Sequence, residues 1–210
     1  MKLYHIERVE EEFKRIILDN MIKYYLIELK NFDIKTYIHT LNVCFLSLDI
    51  GVERNFSQKE LENLAYASIF HEIGKLNLSL IEIREKNGEN VLTRTISPLR
   101  ECPRRAYMSL NFLNMNFIGK IITTQYQYQK SNVYSRRDDR RRTIRGDCFE
   151  RRTIDEEIVE YAQILTISDM VEKISRRNTN YTPQKIYDYL STEFLGNVNY
   201  VESVMLRLNC

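Results

Sequence analysis

An all-α fold is what the sequence predicts, and three observations carry that expectation. Apolar residues recur at the three-to-four spacing of a helix face through most of the chain. Only 3 Pro and 6 Gly accompany 43% hydrophobic residues, a composition that suits a compact helical protein. Helix start signals stand at Asp33, at Ser57 with Glu60 three residues on, and at Thr182-Pro183. A length of 210 residues allows one domain with a full core.

Taken in order, residues 4 to 30 place Val9, Phe13, Ile16, Ile17, Met21, Tyr24, Tyr25 and Ile27 among charges, which predicts one amphipathic helix packing on the core. We expect this segment, residues 1–32, to be an addition to a domain spanning 33–210. Asp33 caps the next helix, from about Ile34 to Asp49 with Gly51 as its stop, and His39 falls mid-helix. Ser57 opens a third helix with Leu61, Leu64, Ala65 and Ser68 on one face, running to His71, and Gly74 suits a left-handed closing position. Turns and irregular segments occupy Ile81 to Pro98. Pro103 opens a helix to Ile118, followed by one over about Ile121 to Tyr128. Asp155 caps the run Glu156 to Ile174, Thr182-Pro183 begins a helix to about Phe194, and a last one spans about Val201 to Leu208.

The formal charge of +2 excludes polyanion binding by the bulk field of the molecule, so any such role needs local clustering. Cysteines 44, 102, 148 and 210 show no paired short spacing, and the N-terminus lacks the basic start and apolar core of a secretory signal, so a cytoplasmic location is expected. No apolar run approaches the roughly 18 residues that suggest a membrane span, and no membrane insertion is expected.

Chemistry concentrates at His71-Glu72-Ile73-Gly74-Lys75, where an imidazole, a carboxylate and an amine meet the end of a helix. Adjacent residues on a regular helix point about 100° apart, so two of them share one ion most easily where the backbone is turning. A second His lies in Tyr37-Ile38-His39-Thr40, and Asp169 ends the apolar run Ile164-Leu165-Thr166-Ile167-Ser168. Taken alone, a His on an apolar helix is more often a hydrogen-bonded core residue, whereas a carboxylate in an apolar run needs a partner. His5 stands outside this pattern and reads as a surface residue.

The scattered His, His-carboxylate, Asp order resembles the HD phosphohydrolase superfamily, with Glu72 where the usual Asp stands. The closer resemblance, over roughly residues 33 to 208, is to the HD-GYP branch, whose members hydrolyse cyclic di-GMP. Ala67 to Lys75 resembles the helix end carrying HDIGK; Glu85-Lys86-Asn87-Gly88 and Leu92-Thr93 resemble a Lys-Pro-Gly turn and Leu-Thr. Ile167 to Glu172 resembles the segment with the last metal-binding Asp, and Arg177 to Tyr181 the Arg-Pro-Tyr after it. The resemblance implies an HD-domain helical bundle, HD-GYP-like, holding one divalent metal ion (Mn, Fe or Mg) on His39, His71, Glu72 and Asp169. Lys75 would be the catalytic cation that stabilises phosphoryl charge. Its blander reading is a favourable charge at a helix C-terminus.

Departures from the pattern are as informative. Lys35 stands where the family has a Glu, Cys102-Pro103 where it has His-Pro, Gln125-Tyr126-Gln127 near its His-His-Glu, and Val133-Tyr134-Ser135 near its Gly-Tyr-Pro. These changes remove the ligands for a second and third metal. Arg136 to Arg145, with Arg151-Arg152, forms a like-charge block at about 135–153 that resists packing. It reads either as a solvated insertion or as a phosphate-binding flap in which Arg140, Arg141 and Arg142 bind substrate. Tyr134, and the pair Tyr126 and Tyr128, could stack on a purine, although most of the 14 Tyr must be packing residues.

Two functions follow from the same residues. One is an HD-type metal-dependent phosphohydrolase, a weak or diverged cyclic dinucleotide phosphodiesterase. The other is a catalytically inactive HD-GYP-like pseudo-enzyme that senses a nucleotide or docks a protein partner. The oligomeric state is open.

Overall fold

The computed structural model describes residues 3–76, 102–130, 155–177 and 182–208. The helices are α1 (Ile6–Ile16), α2 (Asn20–Phe32), α3 (Ile34–Glu53), α4 (Gln58–Phe70), α5 (Cys102–Phe112), α6 (Asn116–Thr124), α7 (Glu156–Arg177), α8 (Pro183–Glu193) and α9 (Val198–Leu208). Short 3-10 turns follow α4 at Ile73–Lys75 and α6 at Gln125–Tyr128. Among the described residues no extended strand occurs, only an isolated bridge between Gln129 and Phe194. The segment 81–98 with its Glu85-to-Gly88 and Leu92-Thr93 landmarks, Tyr134, Arg136 to Arg152 including Arg140, Arg141 and Arg142, and Tyr181 lie outside the described residues.

Helix α3 is the spine. It packs on α4 and α7, with α1 and α2 on its other sides, while α6 and the Gln125–Tyr128 turn lie against α7. One hydrophobic cluster joins Ile22 and Leu29 of α2, Leu46 and Ile50 of α3, Leu64 of α4, Ile121 of α6 and Leu165 of α7. The N-terminal segment therefore shares this core.

Several boundaries differ from the sequence expectation, each for a local reason. Residues 4 to 30 form two helices rather than one, because the Asp19 carboxylate accepts the Met21 N–H at 2.7 Å and starts α2 afresh. Helix α3 runs past Gly51 to Glu53 and ends at Asn55 in the left-handed conformation (φ 59°). Phe56 N–H reaches Gly51 O and Asn55 N–H reaches Val52 O, both at 3.0 Å, closing a Schellman motif. Gly51 serves packing instead: a Cβ there would lie 2.9 Å from Leu61 Cδ2 of α4. Asn114 (φ 58°) likewise splits the expected Pro103-to-Ile118 helix into α5 and α6, with Met115 N–H on Leu110 O at 2.8 Å.

Other signals act as expected. The Ser57–Glu60 capping box is formed in both directions, and Thr182 caps α8 with Pro183 in its first turn. Asp155 accepts the Glu157 N–H at the start of α7. The last helix begins three residues earlier than expected, at Val198.

Candidate metal centre

Helices α3, α4 and α7 converge at one buried point. Each delivers polar groups there from an otherwise apolar face. Helix α4 ends at Phe70, and the backbone turns through His71 and Glu72 (φ −99°, ψ 5°) into the Ile73–Lys75 turn, so both neighbouring side chains face the same point. Gly74 is not in the left-handed region expected of it. It is required by contact: a Cβ would fall 2.2 Å from the backbone carbonyl oxygen of Cys102, at the start of α5.

The four groups singled out in the sequence meet. His39 Nε2 and His71 Nε2 are 3.2 Å apart. Asp169 Oδ1 lies 3.1 Å from His39 Nε2 and 3.9 Å from His71 Nε2, and Glu72 Oε1 lies 3.5 Å and 3.6 Å from them. Neighbouring ligands around an ion bound at about 2.1 Å are separated by roughly 3.0–3.5 Å; the three spacings to His39 fall in that range, and those from His71 to Glu72 and Asp169, 3.6 Å and 3.9 Å, are wider. Among the described residues, His39, His71 and Glu72 form a compact set with donor atoms within 4.8 Å of one another, and Asp169 stands at its edge.

Electrostatics sort the two imidazoles. Burial, reinforced by the charge on His39, pushes the His71 pKa down to about 4, so its ring is neutral at pH 7. Its Nδ1–H donates to Ser68 O at 2.6 Å, which leaves the Nε2 lone pair facing the centre. Burial also works against a charged His39, but the carboxylates of Asp169, Glu172 and Glu72 outweigh it and push its pKa up to about 10. Burial opposes ionisation of Glu72 and Asp169 as well, yet Lys75, Lys173 and the imidazoles hold both below the usual carboxylate range.

A fit test for a cation is supplied by Asp169. Its Oδ1 is buried and forms no well-aligned hydrogen bond among the described residues, although it lies 3.1 Å from His39 Nε2. Two imidazole nitrogens facing each other beside a buried carboxylate oxygen are a donor set that suits a divalent metal ion.

Two residues of the site had no role in the sequence reading. The Glu172 carboxylate accepts the His39 Nδ1–H, the arrangement that fixes a metal-binding imidazole's tautomer. Lys173 Nζ lies 2.5 Å from Asp169 Oδ2. Their signal was present in the sequence: Asp169, Glu172, Lys173 and Arg176 fall at i, i+3, i+4 and i+7, one stripe of a helix. Lys75 Nζ, expected to face a substrate, contacts Glu72 Oε1 at 2.6 Å. At the positions associated with further metals, Lys35 is exposed on the first turn of α3, Cys102 is buried at the start of α5, and Gln125 is buried beside α7.

No protein-family model matches the chain, and no curated protein matches it at a significant level. A solved structure does. The HD domain of the L. monocytogenes phosphodiesterase PgpH, in complex with cyclic-di-AMP, superposes with a TM-score of 0.59 over 88% of this chain and 96% of that one, at 16% identity. The fold is that of an HD domain. The HD fold accounts for the helical bundle and for the convergence of α3, α4 and α7. The dinucleotide named for that neighbour is cyclic-di-AMP, not the cyclic di-GMP that the sequence resemblance implies.

Proposed function

We propose that this chain is a metal-dependent phosphohydrolase of the HD type that acts on a phosphodiester, a cyclic dinucleotide being the substrate class in view. One divalent ion, Mn, Fe or Mg, would be held by His39, His71, Glu72 and Asp169. The observation that carries this reading is the buried Asp169 Oδ1, without a well-aligned hydrogen bond, facing two imidazole Nε2 atoms. When bound, such an ion lowers the pKa of a coordinated water and polarises a phosphoryl oxygen.

The chain's own groups supply the rest. His71 offers its lone pair without losing a proton, because Ser68 O holds the Nδ1–H. His39 must release its Nε2 proton to bind metal, and Glu172 holds the other ring proton in place. Lys75 is the proposed cation for phosphoryl charge, moving from Glu72 toward the substrate. Arg140, Arg141, Arg142 and Tyr134 are proposed on the substrate side as phosphate and base contacts, within a cytoplasmic protein.

A pseudo-enzyme that senses a nucleotide or docks a protein is the second reading. The ion pairs Lys75–Glu72 and Lys173–Asp169 favour it, since they neutralise both carboxylates without an ion. Turnover decides between them. Protein supplied with manganese should hydrolyse cyclic-di-AMP, cyclic di-GMP or a generic phosphodiester, and Asp169→Ala should abolish this. Glu72→Asp, which restores the shorter carboxylate of the HD pattern, should raise the rate. No turnover in the native or the Glu72→Asp protein, across several metals and substrates, would establish the pseudo-enzyme reading.

A further inference from the structure

We propose that Lys173 is a phosphate-binding residue, a second substrate cation acting with Lys75; this rests on the phosphohydrolase reading above. Lys173 is placed by helix periodicity. It stands four residues after Asp169 on α7, and its Nζ contacts Asp169 Oδ2 at 2.5 Å. The other oxygen of the same carboxylate, Oδ1, faces the imidazoles. Asp169 is thus used from both sides, inward for the centre and outward for the ammonium.

That division distinguishes the two lysines. Lys75 contacts Glu72 Oε1, the very oxygen that faces His39 and His71, so it shares its anchor with an incoming ion. Lys173 shares no oxygen with the centre and can keep its place when Oδ1 binds metal. Its side chain is 35% exposed against 11% for Asp169, which sets it at the border between the buried cluster and solvent, where a substrate phosphate would approach.

Charge balance points the same way. With the His39 ring neutral, as metal binding requires, three carboxylates, Glu72, Asp169 and Glu172, are matched by three cations, Lys75, Lys173 and Arg176. A divalent ion added to a balanced set leaves a net positive site, and an anionic phosphate restores neutrality. Where further metals would stabilise phosphoryl charge, this chain carries Lys35, Cys102 and Gln125-Tyr126. A second ammonium beside the first ion supplies part of that missing charge.

The test compares native protein, Lys173→Met and Lys173→Arg, each reconstituted with manganese and titrated with inorganic phosphate and with cyclic-di-AMP at low salt. Metal content per chain is measured in parallel. The expected result is an unchanged metal content in all three, phosphate binding about tenfold weaker in Lys173→Met, and binding within about threefold of native in Lys173→Arg. Phosphate affinity within twofold of native in Lys173→Met would overturn the inference while leaving the metal centre standing. So would a loss of metal from that variant, since Lys173 would then serve Asp169 alone. A native protein that takes up neither metal nor phosphate would overturn the phosphohydrolase reading itself.

Discussion

His39 and His71 are two imidazoles in contact, and they titrate in opposite directions. His71, pushed down to about 4, stays neutral where an unfolded His with a pKa near 6.5 would be charged. The stability it contributes is therefore present above pH 6.5 and lost as pH falls toward 4. His39, pushed up to about 10, binds a proton that the unfolded chain has released, so its contribution is present below pH 6.5 and lost as pH rises toward 10. Chelator-stripped protein should consequently be most stable near neutrality, with denaturation midpoints falling on both sides; a midpoint that is flat from pH 6.5 to 9 would refute the charged His39. Glu172 sets the orientation of this ring. Glu172→Ala should weaken metal binding by about 10- to 100-fold in a competition titration, with little change in fold. The four expected ligands were legible through their order along the chain, which resembles the HD pattern, and not through any one of them alone. Glu172 is legible only as a member of the Asp169 stripe on α7, and its role comes from its contact with His39, 133 residues away.

At the level of elements, the legible signals were those in which a side chain reaches its own helix start, such as Ser57 with Glu60 and Thr182 with Pro183. Helix ends differ from the sequence expectation because Asn55 and Asn114 take the left-handed stop positions, while Gly51 and Gly74 answer to packing. Both glycines report close approaches that no local pattern encodes. Gly74 is the more constrained, since a Cβ would press on the rigid backbone of Cys102 rather than on a side chain that can swing aside. Gly74→Ala should displace the Ile73–Lys75 turn, lower stability by about 2–3 kcal/mol, and carry Glu72 out of register with His71. Thermal denaturation and metal stoichiometry measured together check this. Gly51→Ala, facing the flexible end of Leu61, should cost about 1 kcal/mol and leave the stoichiometry intact.

Across the whole molecule, the two ends of the chain are tied to the spine at one buried charge. Asp49 of α3 is fully buried and accepts the N–H groups of Tyr4 and His5, at 3.1 Å and 2.7 Å, where the chain enters α1. The N-cap residue His5 provides no side-chain cap, and Asp49 instead holds the backbone N–H groups just ahead of the first turn. From the other end, Arg207 of α9, 1% exposed, donates its Nε–H to Asp49 Oδ2 at 2.6 Å and pairs with Glu53 at 2.7 Å. The sequence holds no hint of this, because the partners are separated by 44 and 158 positions. Removing one member of a buried pair strands the other charge, which typically costs about 3–5 kcal/mol, whereas replacing both with apolar groups is often neutral. Arg207→Ala should thus lower stability by that amount in urea denaturation. Glu53→Gln, at the solvent edge, should cost under about 1 kcal/mol. The double variant Asp49→Leu with Arg207→Met should recover the pair's share but not all of the loss, because the Tyr4 and His5 N–H groups would then lack an acceptor. Full recovery in the double variant would show that the entry to α1 does not depend on Asp49, and that the tie between the chain ends is carried by packing alone.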